Sequence, residues 1–177
     1  MNILVCIKQV PDTTEIKIDP VKHTLIREGV PSIVNPFDAC ALEMAVRLKE
    51  KEGGKVMVVS MGPAQAKNAL KECLSVGADQ AFLVTDRAFG GSDTLATSYI
   101  LSRAVRAVEQ KTGESVDVIF CGKQAIDGDT AQVGPEMAEH MDLPHVTLAT
   151  GVEMADGKLR VQRDTDEGHD IIEVDLP

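Results

Sequence analysis

The stretch CGKQAIDGDTAQVGP, Cys121 to Pro135, follows the apolar run Val116 to Phe120 and precedes a helix-like segment that ends near Met141. A strand that runs into a glycine-rich turn and then a helix start is an arrangement that binds phosphates. Exposed backbone N–H groups and the positive end of the helix both point at the ligand. Gly122 and Gly128 let the backbone approach closely. Neither GxGxxG nor GxxxxGK[ST] occurs in the chain, so spacing alone also fits an ordinary strand–turn–helix corner with no ligand. Beside a phosphate, Asp127 is suited to accept hydrogen bonds from ribose hydroxyls, and Asp129 to cap the following helix. The helix start is open between Thr130 and the residue after Gly134. In the first case Pro135 removes an internal bond, and in the second it takes the favoured first position.

Working outward, three further apolar runs read as strands: Asn2 to Val10, Lys55 to Met61 and Ala81 to Thr85. Near-continuous hydrophobicity of this kind marks parallel strands buried on both faces. Helical patterns separate them, over Ala39 to Lys51, from about Ala64 to Val76 with Gly77 as its stop, and from Thr94 to about Gln110. Four strands alternating with helices predict a mostly parallel, doubly wound α/β sheet with right-handed crossovers and a ligand crevice at the carboxyl ends of the strands. Cys6 and Lys8 border that crevice on this reading, although a solvated strand end explains Lys8 equally well. The segment Thr14 to Val30 reads as a small hairpin around Asp19-Pro20, and 146–177 as a β extension turning at Asp156-Gly157. One domain spanning 1–177 is expected.

Composition narrows the function. At 177 residues with 44% hydrophobic but only 3% aromatic content, the core is built from Val, Ile, Leu, Ala and Met. Such a length buries about 70% of its unfolded surface. A net charge of −10 argues against nucleic acid and against anionic lipid, both of which need a basic face. No apolar stretch has the length to span a bilayer, and Met1 leads into a strand with no charged leader region. Cys6, Cys40, Cys73 and Cys121 are widely spaced without a CxxC pair, which favours free thiols in a reducing cytoplasm. His23, His140, His145 and His169 show no ligand spacing, so no metal is expected.

Two more places carry chemistry. Val34-Asn35-Pro36-Phe37-Asp38 is a helix-start turn in which Asn35 or Asp38 can satisfy free N–H groups. In DRAFGGSDTLAT, Asp86 to Thr97, Ser92 and Asp93 are capping candidates. Thr94, Thr97 and Ser98 bring hydroxyls to a helix N-terminus, where backbone amides and hydroxyls together suit a diphosphate; an N-cap with incidental hydroxyls fits as well. Leu95, Tyr99, Ile100, Ala104, Val105 and Val108 read as the inward face of that helix.

CGKQAIDGDTAQVGP, VNPFDACALEMAVRLKE from Val34, VSMGPAQAKNAL from Val59 and VQRDTDEGHDIIEVDLP near the end together resemble the beta subunit of an electron transfer flavoprotein. They occur in the family's order, and the match runs over essentially the whole chain. One departure is Asp170, where the family usually has Glu or Gln. Members of the family continue well past the position of Pro177 with a tail that embraces a partner subunit, so the resemblance implies a fragment. It also implies a Rossmann-like, three-layer fold of the adenine nucleotide alpha-hydrolase-like kind.

By resemblance, Gly122, Lys123, Gln124, Ala125, Ile126, Asp127, Gly128, Asp129, Thr130, Ala131, Gln132 and Val133 hold the phosphates and ribose of a nucleotide. Asn35, Pro36, Phe37, Asp38, Cys6 and Met61 surround its adenosine. Thr94, Leu95, Ala96 and Thr97 take the extra phosphate and ribityl side of FAD. GGSDTLATS resembles the version found in subunits that bind a full FAD and bifurcate electrons from NADH, whereas subunits binding only AMP commonly lack it. The implied cofactor is FAD, with AMP as the alternative. The implied partners are the alpha subunit, acyl-CoA or other flavin dehydrogenases, and NADH. No residue need act as acid, base or nucleophile, because the flavin does the redox chemistry. Two other readings stand beside this one. A single-chain ATP- or AMP-binding module of the stress-protein or nucleotide-hydrolase type would need a Mg²⁺ ligand set, for which only Asp127 and Asp129 are candidates. A purely structural partner would leave both glycine- and hydroxyl-rich helix starts without a purpose.

Overall fold

The computed structural model describes residues 1–12 and 31–176; the expected hairpin in 14–30 lies outside them. In chain order the elements are β1 (Asn2–Cys6), β2 (Gln9–Pro11), β3 (Ser32–Val34), α1 (Pro36–Glu52), β4 (Lys55–Met61), α2 (Lys67–Ser75), β5 (Gln80–Val84), α3 (Thr94–Thr112), β6 (Val118–Cys121), α4 (Val133–Met141), β7 (Ala149–Ala155), β8 (Lys158–Thr165) and β9 (Gly168–Val174). A short 3₁₀ turn, Ala64–Ala66, precedes α2 and another, Arg87–Phe89, precedes α3.

The four apolar runs make one parallel sheet in the order β5-β4-β1-β6. Because side chains alternate across a strand, β1 and β4 supply two cores. Ile3, Val5, Val56 and Val58 face α1 and α2, packing with Ala41, Leu42, Ala45, Leu48, Leu70 and Cys73. Leu4, Cys6, Met57 and Val59 face α3 and α4, packing with Leu101, Ala104, Val105, Val108 and Met137. Helices on both faces of a parallel sheet give the expected three-layer, doubly wound arrangement. β7, β8 and β9 form a separate antiparallel sheet whose Leu159 and Val161 close over the α1 side of the core. Its first hairpin turns at Asp156 (φ 52°) and Gly157 (φ 78°), the positive-φ pair that a two-residue connection needs.

Three expectations change. The run Asn2 to Val10 is not one strand. The parallel ladder ends at Cys6, and Gln9–Pro11 instead pair antiparallel with β3, which delivers the chain to the start of α1. That helix begins at Pro36, not Ala39, since proline suits a first helical position. In α3 the buried stripe is Ser98, Leu101, Ser102, Ala104, Val105 and Val108. Leu95 and Tyr99, expected inward, are 60% and 55% exposed. The helix is rotated so that Ser98 and Ser102 are buried in place of Leu95 and Tyr99.

Candidate functional site

From β1 the chain adds β4 and β5 on one side and then crosses to place β6 on the other. Cys6 and Cys121 are register partners at the carboxyl ends of these two strands. This is the topological switch point, where an open α/β sheet leaves a crevice. The start of α1 closes its floor. A β-carbon on Gly122 would overlap Asp38 Oδ1 and the backbone of Phe37 and Asp38, so contact with α1 alone requires a glycine here. Gly128 is different, since a β-carbon there meets nothing within 4 Å.

Asn35 and Asp38 do not cap α1; they hold the two strand exits. The Asp38 carboxylate, 6% exposed, accepts a hydrogen bond from the Lys8 N–H at 2.7 Å. Burial pushes its carboxyl up to about 6, against the pull of the Lys8 N–H, the Asn35 side chain and the Gly122 N–H, which favour the ionised form. The Asn35 side chain, also buried, donates to Gln124 O at 2.8 Å and accepts from the Ile126 N–H at 3.2 Å. One amide group thus fixes the loop that follows β6 at two points.

Beyond that clamp the loop is exposed from Ile126 to Gln132. Lys8 Nζ reaches across to Asp127 Oδ1 at 2.6 Å, so Lys8 borders the crevice and one oxygen of Asp127 is engaged. Asp129, expected to cap the next helix, instead accepts from Gln124 Nε2 at 2.7 Å. Asp129 and Ala131 have φ of 53° and 54°. For an alanine, which has no polar side chain to offset it, this left-handed backbone costs about 1–2 kcal/mol.

The helix start lies between the two alternatives: α4 begins at Val133, with Gln132 in the cap position and no side-chain cap. Pro135 is its third residue, where no internal N–H bond is lost. The start of α3 is capped, because Asp93 Oδ1 accepts from the Ala96 N–H at 2.8 Å. Ser92 bonds back to Phe89 O and takes no part in the cap. The two starts adjoin: Thr94 Oγ1 lies 3.1 Å from Glu136 Oε1 and 3.4 Å from Gln132 Oε1.

The structure therefore brings Asn35, Asp38 and the loop 122–133 to one corner, with Thr94 beside its far end. Cys6 lies beneath, 9% exposed, with its thiol 3.8 Å from Met137 Sδ. Contact with the Cys121 thiol, then burial, hold Cys6 well above the ordinary thiol range, so it stays protonated. Met61 ends β4 at the same edge of the sheet and packs on the Cys6 core. Pro36 is exposed and Phe37 half-buried at the start of α1. Leu95 turns to solvent, and the Ala96 N–H is already taken. Glu136 is a contact the sequence does not single out, since the four-residue uncertainty in the helix start hides which residue of α4 faces Thr94. Among the described residues no group of three His, Cys, Asp or Glu side chains is arranged to hold a metal ion, and no helix is long and apolar enough to cross a membrane.

A model of the electron transfer flavoprotein domain matches residues 22–177. The chain belongs to the electron transfer flavoprotein family. It is 59% identical over its full length to "Electron transfer flavoprotein subunit beta" of Thermoanaerobacterium thermosaccharolyticum, and 55% identical to the protein of the same name from Clostridium acetobutylicum. It is 52% identical to "Caffeyl-CoA reductase-Etf complex subunit CarD" of Acetobacterium woodii. In each case the match covers 100% of this chain and 66% of the relative, so the chain spans just under two thirds of their length.

Proposed function

We propose that this chain is the nucleotide-binding part of the beta subunit of a heterodimeric electron transfer flavoprotein. It binds FAD, or AMP in its place, and with an alpha subunit carries electrons between acyl-CoA or other flavin dehydrogenases and their acceptors in the cytoplasm. The observation that carries this reading is the uncapped start of α4, set beside the start of α3 at the switch point. The Val133 and Gly134 amides make no hydrogen bond among the described residues and suit an anion, and helix polarity adds to their pull.

The residues fit such a cofactor. Val133 and Gly134 amides receive phosphate oxygens. The second oxygen of Asp127 receives a ribose hydroxyl while Lys8 holds the first. The Asn35 clamp keeps the loop in place, and a protonated, buried Cys6 closes the floor without reacting. A bound flavin would supply the redox chemistry, two-electron oxidation of NADH with one-electron reduction of two acceptors. Support for the bifurcating form comes from GGSDTLATS and from likeness to a subunit of a caffeyl-CoA reductase–Etf complex.

Co-expression of the full-length chain with its alpha subunit, followed by denaturation and counting of released nucleotides, tests this. Two FAD per heterodimer is the expected outcome. One FAD plus one AMP would overturn bifurcation but keep the carrier, and a complex without adenine nucleotide in this subunit would overturn the reading.

A further inference from the structure

Resting on the nucleotide reading of this site, we propose that Cys6 and Cys121 are a reversible dithiol–disulfide pair that locks the empty crevice: their disulfide displaces the loop after β6 and so excludes the nucleotide.

The pairing follows from the fold. Cys6 and Cys121 are register partners on the adjacent parallel strands β1 and β6, so both side chains leave the sheet on the same face, toward α3 and α4. Neighbouring strands lie about 4.8 Å apart, inside the range of about 4.4–6.8 Å between α-carbons that a disulfide spans. The two thiols already touch. The other two cysteines are elsewhere: Cys73 is buried in the core on the opposite face of the sheet, and Cys40 is exposed on α1.

The two members differ as a working dithiol requires. Cys121 is half-buried and lies against the start of α4, where a β-carbon on Gly134 would stand 3.7 Å from its sulfur. A helix start favours nearby negative charge, and the thiolate is the attacking form. Cys6 is 9% exposed, so it reacts only with a sulfur brought beside it. The co-reactant is a low-molecular-weight disulfide, RSSR. Cys121 attacks one of its sulfurs, the RS–SR bond breaks, a Cys121–SR bond forms, and the departing RS⁻ takes the proton that Cys121 has lost. Cys6 then attacks the Cys121 sulfur and gives its own proton to the second RS⁻. Two protein thiols are oxidised, one RSSR is reduced to two RSH, and a dithiol reductant reverses the sequence.

Closing the bond has a consequence for the loop. Disulfide β-carbons stand about 3.8 Å apart, so the strand ends must approach by about 1 Å from ordinary strand spacing. The next residue, Gly122, is packed directly on Phe37 and Asp38, and the shift therefore passes into residues 122–133. By linkage, a seated nucleotide keeps the pair reduced.

The test uses the full-length chain in its heterodimer, stripped of nucleotide, incubated with oxidised glutathione, alkylated and mapped by peptide mass spectrometry. A Cys6–Cys121 linked peptide is expected, suppressed by saturating AMP and removed by dithiothreitol. In Cys6→Ser the reaction should stop at a glutathione adduct on Cys121, and in Cys121→Ser position 6 should stay unmodified. Calorimetric titration with AMP is expected to give an affinity at least about tenfold lower for the linked protein than for the reduced one. Absence of the link under conditions that modify exposed Cys40 would overturn the inference. So would a linked protein whose AMP affinity stays within about twofold of the reduced one, although the nucleotide site would stand. Reduced protein that binds no AMP would overturn the nucleotide reading, and the lock with it.

Discussion

The starts of α3 and α4 stand within hydrogen-bond distance of each other, yet they meet the same electrostatic demand in opposite ways. Every helix start carries N–H groups without internal partners. At α3 an aspartate accepts from one of them, so that start is satisfied by its own sequence. At α4 the cap residue, Gln132, makes no such bond, while the loop before it holds an alanine in left-handed backbone and is pinned from afar by Asn35. The proposed nucleotide site uses this difference: the anion goes to the start that its own cap residue leaves open.

The largest way to break this contrast is to dislodge the pinned loop. Gly122→Ala forces a β-carbon into the start of α1 and is expected to cost about 3 kcal/mol or more in urea unfolding, with loss of bound nucleotide. Wild-type stability in this variant would show that the contact with α1 does not hold the loop.

Next is the buried carboxyl under it. Asp38 is raised from 3.8 to about 6 in the fold, so the folded state keeps this proton more tightly than the unfolded one. Its contribution to stability is fully present below about pH 4 and is lost as pH rises to 6. At about 1.4 kcal/mol per pH unit, this amounts to on the order of 2–3 kcal/mol. The stability difference between wild type and Asp38→Asn, from denaturant midpoints at pH 4 and pH 7, should move by that amount against wild type at the higher pH. A flat difference would mean that the Lys8 and Gly122 amides fully offset burial.

A smaller pair of changes sharpens the comparison itself. Asp93→Ala removes the α3 cap and should cost about 1 kcal/mol while leaving nucleotide affinity within about threefold. Gln132→Asp puts a carboxylate at the open start and should lower affinity about tenfold or more by like charge. Reversal of these two outcomes would assign the anion to α3.

Much of the fold was legible because burial writes itself into apolar runs: KVMVVSM at Lys55 to Met61 is one strand with those bounds. What a residue does across space was not. Asn35 looks like a cap because it precedes Pro36, and only the folded chain shows that it binds residues 89 and 91 positions away. Asp129 stands before a helix but finds Gln124 closer. Leu95 and Tyr99 are apolar and helical, so periodicity counts them as core, yet both are more than half exposed, with the Tyr99 ring edge-on to His140. Hydrophobicity alone does not separate a face packed inside the chain from one left outside it.

The most direct measurement is of the amides themselves. In the heterodimer labelled with nitrogen-15 at valine, glycine and alanine, titration with AMP is expected to shift the Val133 and Gly134 N–H resonances strongly downfield while Ala96 stays near its starting position. Movement of Ala96 with Val133 and Gly134 unchanged would contradict the account.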